Sequence, residues 1–463
     1  MNRYRQLAEL FKTQIQQNTW RAGEKLPSVR VTSRNHSVST GTVLQAYQLL
    51  EAQGWVIAKP QSGYFVTAEL ERLDATGADN NTYRTSLNDE LYDFLKQQTV
   101  PNATKLGSAF PDPALFPLEA LNRNLASSGR KMGPDTLLDN LPPGSASLRR
   151  SIAQRYIQQG MTLTHDDIVI TSGALEALNL SLQVVTEPGD TVVIESPTFY
   201  GALQAIERLG LNAIEISVDA EKGHSLAQME QAFAQHNVKA CWLMSNFHNP
   251  TGTSLSDEQK QRVVELANLH DVYLIEDDVY AELYFSDKKP TSLKTYDDQE
   301  RVLHCGSLSK SLCPGYRLGW VITKRFNERV QKLQLMSTLS GSAPIQQGVA
   351  HYLQNDSYDN HLRKLRKGLE QRQAMFVQTM KECLPKSIEY YLPPGGYFLW
   401  LKLPQGISSK AVHHTLLSQQ VTVAHGALFS VDEQYQDYLR LNTSLPIDDN
   451  LCQALRKLGE LLH

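Results

Sequence analysis

The 463-residue sequence has no apolar run approaching the roughly 20 residues that a bilayer-spanning helix needs. Its five cysteines (Cys241, Cys305, Cys313, Cys383 and Cys452) are scattered. None forms a CxxC pair or a Cys/His cluster at zinc spacing, so reduced thiols and no metal are expected. No GxGxxG opens a helix and no GxxxxGK[ST] occurs, which removes support from dinucleotide and nucleoside triphosphate binding. The first residues, MNRYRQLAELFKTQIQ, are amphipathic and lack a continuous apolar segment with a small-residue cleavage site. They do not read as a signal peptide, and a cytoplasmic, nonmembrane protein is expected.

What is present is a globular composition, 41% hydrophobic and 20% charged, in a chain long enough for two or more domains. The net charge of −4 hides an asymmetry. Residues 1–68 carry eight Lys or Arg against three Glu, or 8 − 3 = +5, leaving −9 for the remainder. A small basic module joined to a large acidic one points to a polyanionic partner for the first.

Within that module, Leu7, Leu10, Phe11 and Ile15 recur at helical spacing, so a helix is expected over about Tyr4–Gln17. Ser28 can cap a second helix that carries Arg30 in its first turn, and Ser39 can open a third, STGTVLQAYQLLEAQG. WVIA, a KPQSG turn and YFV then read as a hairpin. Three helices and a hairpin are the order of a winged helix-turn-helix, although a small dimerisation or protein-binding domain has the same pattern. In the winged-helix reading, Ser39, Thr40, Gly41 and Thr42 start the recognition helix, with Ser28, Arg30 and the wing residue Lys59 beside the DNA.

Residues 69–95 are polar and aperiodic and are expected to be a linker. From there to residue 463, short apolar strands alternate with helical patterns: DIVITSG, DTVVIESP, AIEIS, KACWLMS, VYLIEDD, RVLHCGS and GWVIT. That alternation predicts a three-layer α/β/α domain whose ligand sits at the carboxyl ends of the strands. The chemistry-bearing residues fall at those ends. Ser172, Gly173 and Ala174 stand where a strand meets a helix, a place suited to a phosphate or simply a tight turn. Asn249 precedes a proline in NFHNPTG, and Asp277 ends a strand with Tyr280 three residues on. Ser307, Lys310 and Arg317 share the loop SLSKSLCPGYR, where a lysine near other cations and partly desolvated becomes a neutral nucleophile. His248, His413 and His414 read as packing or surface residues.

Two resemblances organise these motifs. Leu26-Pro27-Ser28-x-Arg30, Val38-Ser39-x-x-Thr42-Val43, Ala46-Tyr47-x-x-Leu50-Glu51 and Ser62-Gly63-x-Phe65-Val66 resemble the GntR family of bacterial transcription regulators. Members often carry Arg directly after the Ser where this chain has Thr40-Gly41, so an altered operator preference is implied. TSGALEAL, SPTFYGAL, NFHNPTG, EDDVYAEL, SLSKSLCPGYRLGW, PPGGYFLWLKLP and YLRLN resemble the fold-type-I, class I and II aminotransferases that use pyridoxal 5′-phosphate (PLP). This implies a PLP-transferase fold with a small C-terminal α+β subdomain.

By the second resemblance, Lys310 forms the Schiff base with the cofactor, and Asp277 holds the ring nitrogen protonated. Asn249 and Tyr280 bond the ring oxygen, Phe199 stacks on the ring, and Ser172, Gly173, Ala174, Ser307 and Arg317 hold the phosphate. Arg440 clamps a substrate or effector carboxylate. A Tyr that family members place near Asp139 and Asn140 to reach the neighbouring subunit is missing. Together the two halves, 1–68 and 96–463, resemble the MocR subfamily of GntR regulators. A homodimer that binds a double-stranded operator and senses an amino compound, or PLP itself, through the Lys310 aldimine is the implied function. The alternative is a working aminotransferase with an accessory DNA-binding domain.

Overall fold

The computed structural model describes residues 2–17, 19–59, 62–67, 87–134, 140–430 and 434–462. The chain divides into two compact units, Met1–Tyr83 and Arg84–His463.

In the first unit, helices α1 (Arg3–Gln16), α2 (Val29–Asn35) and α3 (Thr40–Ala52) precede the antiparallel hairpin β1 (Val56–Lys59) and β2 (Gly63–Val66). This is the expected winged helix-turn-helix. Leu7, Phe11 and Ile15 of α1 bury against Val43, Tyr47 and Leu50 of α3, with Val56 and Val66 closing the core from the wing. Both expected caps form: Ser28 Oγ accepts from Val31 N and Ser39 Oγ accepts from Thr42 N at 3.1 Å. The angle between α2 and α3 is set by Tyr47. Its buried hydroxyl donates to Pro27 O at 2.9 Å and lies 2.8 Å from Thr32 Oγ1.

The second unit begins with a departure from the sequence reading. Helix α4 (Leu87–Gln97) occupies the end of the stretch expected to be linker, of which residues 69–86 lie outside the described residues. Leu91 and Phe94, three residues apart on one face, are buried with Tyr200, Trp400, Leu428 and Phe429. Leu87, Leu91, Phe94 and Leu95 do recur at helical spacing, which the linker reading passed over, while the partners that bury Leu91 and Phe94 lie far along the chain.

Strand β3 (Thr104–Lys105) follows, and then an eight-stranded sheet. Its strands are β4 (Ile168–Thr171), β5 (Thr191–Ser196), β6 (Asn212–Asp219), β7 (Gly223–His224), β8 (Val238–Leu243), β9 (Tyr273–Asp277), β10 (Val302–Ser307) and β11 (Gly319–Ile322). Their spatial order is β4-β11-β10-β9-β8-β5-β6-β7. β10, β9, β8, β5 and β6 run parallel; β11 and β7 are antiparallel to their neighbours. Because β4 is antiparallel to β11, it points the same way as β10.

Apolar clusters cover both faces of the sheet, one with Leu178 and Leu203 and the other with Phe233 and Val263, giving the three layers expected. A smaller α+β part holds β12 (Glu389–Tyr390), β13 (Phe398–Lys402), β15 (Ala424–His425) and β16 (Tyr438–Asn442) in the order β12-β13-β16-β15, while β14 (Val421–Thr422) pairs in parallel with β3.

If α4 is integral to the second unit, Phe94→Ala leaves a cavity among Tyr200, Trp400 and Phe429. The second unit should lose about 3–5 kcal/mol, seen as a lower urea midpoint, with the first unit's transition unmoved.

Candidate functional site

The shared direction of β4, β5, β8, β9 and β10 brings their carboxyl ends to one edge of the sheet, and the sequence-predicted residues follow them there. Ser172 and Gly173 come after β4, Phe199 after β5 and Asn249 after β8; Asp277 ends β9 and Ser307 ends β10.

Asp277 is buried, and its Oδ1 has no hydrogen-bond partner. Burial pushes its pKa up to about 7, reinforced by the negative charges of Glu195 and Asp278 and opposed by Lys310. Lys310 is moved the other way. Burial, and then the positive charge of Arg440, bring its pKa down to about 7 against the pull of Asp277. The Lys310 amine donates to Ala109 O at 2.7 Å and lies 4.3 Å from the centre of the Phe110 ring. A lysine so placed is in large part a neutral amine near neutral pH, which is the form that attacks a carbonyl.

Arg440, in the interior of β16, is 0% exposed. It donates from Nη1 to Asn249 Oδ1 at 2.7 Å and from Nη2 to Gly107 O at 2.8 Å, while Nε has no partner. Its planar head lies 4.4 Å from the Phe398 ring centre and 5.1 Å from that of Phe429. Among the described residues, the ionisable groups around it are Lys310 and the hydroxyls of Tyr200, Tyr280 and Tyr397, with no carboxylate among them. A buried guanidinium without an acidic partner is costly, and a carboxylate ligand would offset that cost.

Asn249 is thus committed through its side-chain carbonyl to Arg440 rather than aimed only at a cofactor ring. Tyr280 is buried beside Tyr397 and Phe398, at ring distances of 5.7 and 5.5 Å. Tyr397, which the sequence reading did not single out, donates to Ala109 O at 2.9 Å. The Phe199 ring sits 4.7 Å from that of Tyr200.

The expected phosphate cradle is compact. Gly173 has φ +103°, and a Cβ there would lie 2.8 Å from the Arg317 guanidinium; a Cβ on Gly319 would lie 2.4 Å from Gly173 C. Only glycines allow the strand–helix junction, the start of β11 and Arg317 to approach so closely. Helix Ala174–Val185 begins at that point and directs its first N–H groups and positive end there. Just before the helix, the Ser172 N–H donates to Glu176 Oε2 at 2.5 Å and is thereby engaged. Ser307 Oγ lies 2.9 Å from both Leu318 O and Ser309 Oγ and so also braces its own loop. These features fit PLP. An unpartnered buried carboxylate faces a cation, two glycines make room for a phosphate beside an arginine, and a deprotonatable lysine stands between the two chemistries.

Asn140 donates to Ser340 Oγ at 2.9 Å and to Gly341 O, while Asp139 lies outside the described residues. Among the described residues, Glu276, Asp278 and His304 bring metal-ligand atoms within 4.8 Å of one another. The Glu276 oxygens are already occupied by Ser245, Ser292, the Leu293 amide and His304. On the first unit, Ser28, Arg30, Ser39, Thr40, Gly41 and Lys59 are exposed and Thr42 is half-buried. The Ser39 and Thr42 hydroxyls bond each other at 2.9 Å, so part of their capacity is spent on the cap.

The raised pKa of Asp277 fixes the sign of a pH effect. The folded protein binds that proton more tightly than the unfolded chain, so its contribution favours the fold in acid and is lost as pH rises toward about 7. Asp277→Asn should therefore raise the stability of the cofactor-free protein at pH 8 by roughly 2–4 kcal/mol and change it little at pH 4. Thermal unfolding at the two pH values checks this.

Known proteins with the same layout bear on what this geometry is for. Residues 3–66 match the family model of bacterial regulatory proteins of the gntR family, and residues 111–458 match aminotransferase class I and II. The HTH-type transcriptional regulator YdcR of Escherichia coli (strain K12) is 44% identical across 100% of this chain and 99% of its own length. YjiR of the same strain, likewise named an HTH-type transcriptional regulator, is 34% identical across 100% and 99%. Among solved structures, Pyrococcus horikoshii kynurenine aminotransferase, in a complex with PMP, superposes with a TM-score of 0.75 at 27% identity, covering 82% of this chain and 95% of that one. The multiple substrate aminotransferase of Thermococcus profundus gives 0.74 at 26% identity, over 81% and 94%. The chain belongs to the GntR family of transcription regulators, in the MocR type whose winged helix precedes an aminotransferase class I and II domain.

Proposed function

We propose that the chain is a PLP-dependent regulator that binds operator DNA through its first unit and reads a small amino compound bearing a carboxylate through its second. The observation that carries this reading is the pairing of unmet charges around Lys310. Asp277 Oδ1 has no donor and Arg440 has no carboxylate, yet both are buried. They call for a cationic ring nitrogen and an anionic ligand group respectively.

When bound, PLP supplies an aldehyde that condenses with amines and a ring that accepts electrons. The chain's residues do the rest. Asp277 accepts the ring N–H, and its buried negative charge keeps that proton in place. Ser172, Gly173 and Ala174 with Ser307 and Arg317 hold the phosphate, Tyr280 and Asn249 bond the ring oxygen, and Phe199 covers the ring. Arg440, its guanidinium over the rings of Phe398 and Phe429, receives the carboxylate. An amine arriving with that carboxylate would compete with Lys310 for the aldehyde, and Lys310, as a neutral amine, would be placed to hold the proton that the incoming ammonium gives up.

For such an event to regulate, the effector must bind two states of the protein with different affinity. The protein acts as a cytoplasmic homodimer, so that two winged helices meet two half-sites. The exposed Arg30, Lys59 and the start of α3 face the DNA in this reading. The retained Lys310, Asp277 and Arg440 also favour a second reading, an aminotransferase that carries a DNA-binding appendage.

One titration separates the two. The purified protein is loaded with PLP and followed by absorbance while amino acids and amines are added, beside a DNA shift assay. An effector that perturbs the band and changes DNA affinity about 5- to 150-fold without sustained product supports the regulator. Product over many turnovers with fixed DNA affinity supports the enzyme. Lys310→Ala should abolish the lysine-linked absorbance and the effector response while leaving basal DNA binding intact. Arg30→Ala should weaken DNA binding and lower the slope of log affinity against log salt by about 1.

A further inference from the structure

Three buried ionisable side chains belong to none of the roles above: Glu195 in β5, His224 in β7 and His248 in the loop after β8, exposed by 1%, 4% and 0%. The sequence reads His248 as packing or surface; it is interior, beside a carboxylate. Glu195 Oε1 lies 2.5 Å from His224 Nε2 and accepts from Met244 N at 2.9 Å, while Oε2 lies 3.3 Å from His248 Nε2. The other nitrogen of His248 lies 2.9 Å from Thr251 Oγ1, and Asn249 N donates to Met244 Sδ. One carboxylate therefore ties together the ends of β5, β7 and β8 and the loop that carries Asn249, the partner of Arg440.

We propose that Glu195, clamped by His224 and His248, is a positioning residue of the cofactor site, supplying a fixed negative charge behind Asp277 and anchoring the Asn249 loop. This rests on the reading of that site as one for PLP.

The charge is fixed because burial, which alone would protonate Glu195, is overcome by the His248 and His224 imidazoles beside it, which hold its pKa down at about 2. β5, β8 and β9 are adjacent strands, with Ile194 opposite Trp242 and Trp242 opposite Ile275, so the backbones that carry Glu195 and Asp277 lie on the order of 10 Å apart at a spacing near 4.8 Å per strand. At that distance, with an effective dielectric of about 20, one unit charge shifts a neighbouring titration by about one pH unit. Glu195 is among the causes that raise the Asp277 pKa.

The ionisable groups facing Glu195 are His224 from β7, His248 from the loop, Cys241 on β8 and Asp277 on β9; Asp277 in turn faces Lys310 and Asp278. A negative charge here favours the protonated ring that Asp277 holds, in the same direction as Asp277 itself.

The test is a pH titration of the absorbance of the PLP-loaded full-length protein. Glu195→Gln keeps the shape and an acceptor for Met244 N but removes the charge, so the midpoint of the cofactor's absorbance change should fall by about one pH unit. His224→Gln keeps the carboxylate and removes the imidazole that offsets its charge, so the midpoint should rise. General damage would move both variants the same way, which distinguishes charge from packing. Midpoints that stay with the wild type in both, or that move together, overturn the proposal. If Glu195→Gln does not fold, His224→Gln decides alone: a rise sustains the proposal, and no change or a fall overturns it. A wild type that acquires no visible band fails the cofactor reading instead.

Discussion

The desolvation of Asp277 and Lys310 at one edge of the sheet governs the rest of the site. Each is held away from its ordinary charge state, the acid up and the amine down, and both meet near neutral pH. In that condition small changes in nearby charge alter which form dominates. Arg440, Arg317, Asp278 and Glu195 are the groups that set that balance. A ligand that brings a cation to Asp277 and an anion to Arg440 satisfies groups the folded chain leaves unmet. Its binding energy is then added to the stability of the fold itself. That linkage suits a sensor, because occupancy and conformation share the same buried charges.

The two units make different use of polar groups. In the winged helix, Ser28 and Ser39 spend their hydroxyls on helix ends and Tyr47 spends its own on holding α2 against α3, so geometry is fixed by hydrogen bonds beneath a basic surface. In the larger unit, polar groups are carried into the interior and paired there, as with Glu276 and its four donors or Glu195 and its two imidazoles. The first arrangement offers an exposed face to a polyanion. The second keeps an electrostatic field in place around a small molecule.

Much of this was legible in the sequence, and the reason is local. Strand ends such as IEDD and ITSG show themselves by apolar runs that stop at a polar residue, and the caps Ser28 and Ser39 by their place before periodic helices. What was not legible depends on distance along the chain. Asn249 and Arg440 bond across 191 residues, and nothing near either announces the other. Glu195 meets His224 across 29 residues, through a two-residue strand too short for any periodicity. The helical spacing of Leu87, Leu91, Phe94 and Leu95 was there to be read, but the burial of Leu91 and Phe94 by Tyr200, Trp400 and Phe429 lies in no window of sequence around residue 91.

The position of α4 also bears on how such a protein could be assembled and rearranged. The aminotransferase match begins only at residue 111, yet the unit it belongs to is sealed by a helix that starts at Leu87. A recombination joint placed at the family boundary would strand Tyr200, Trp400 and Phe429 without their cover. One placed before Leu87 would exchange the DNA-reading head and leave the sensor whole. The modular seam of this architecture therefore lies upstream of where the aminotransferase family match begins.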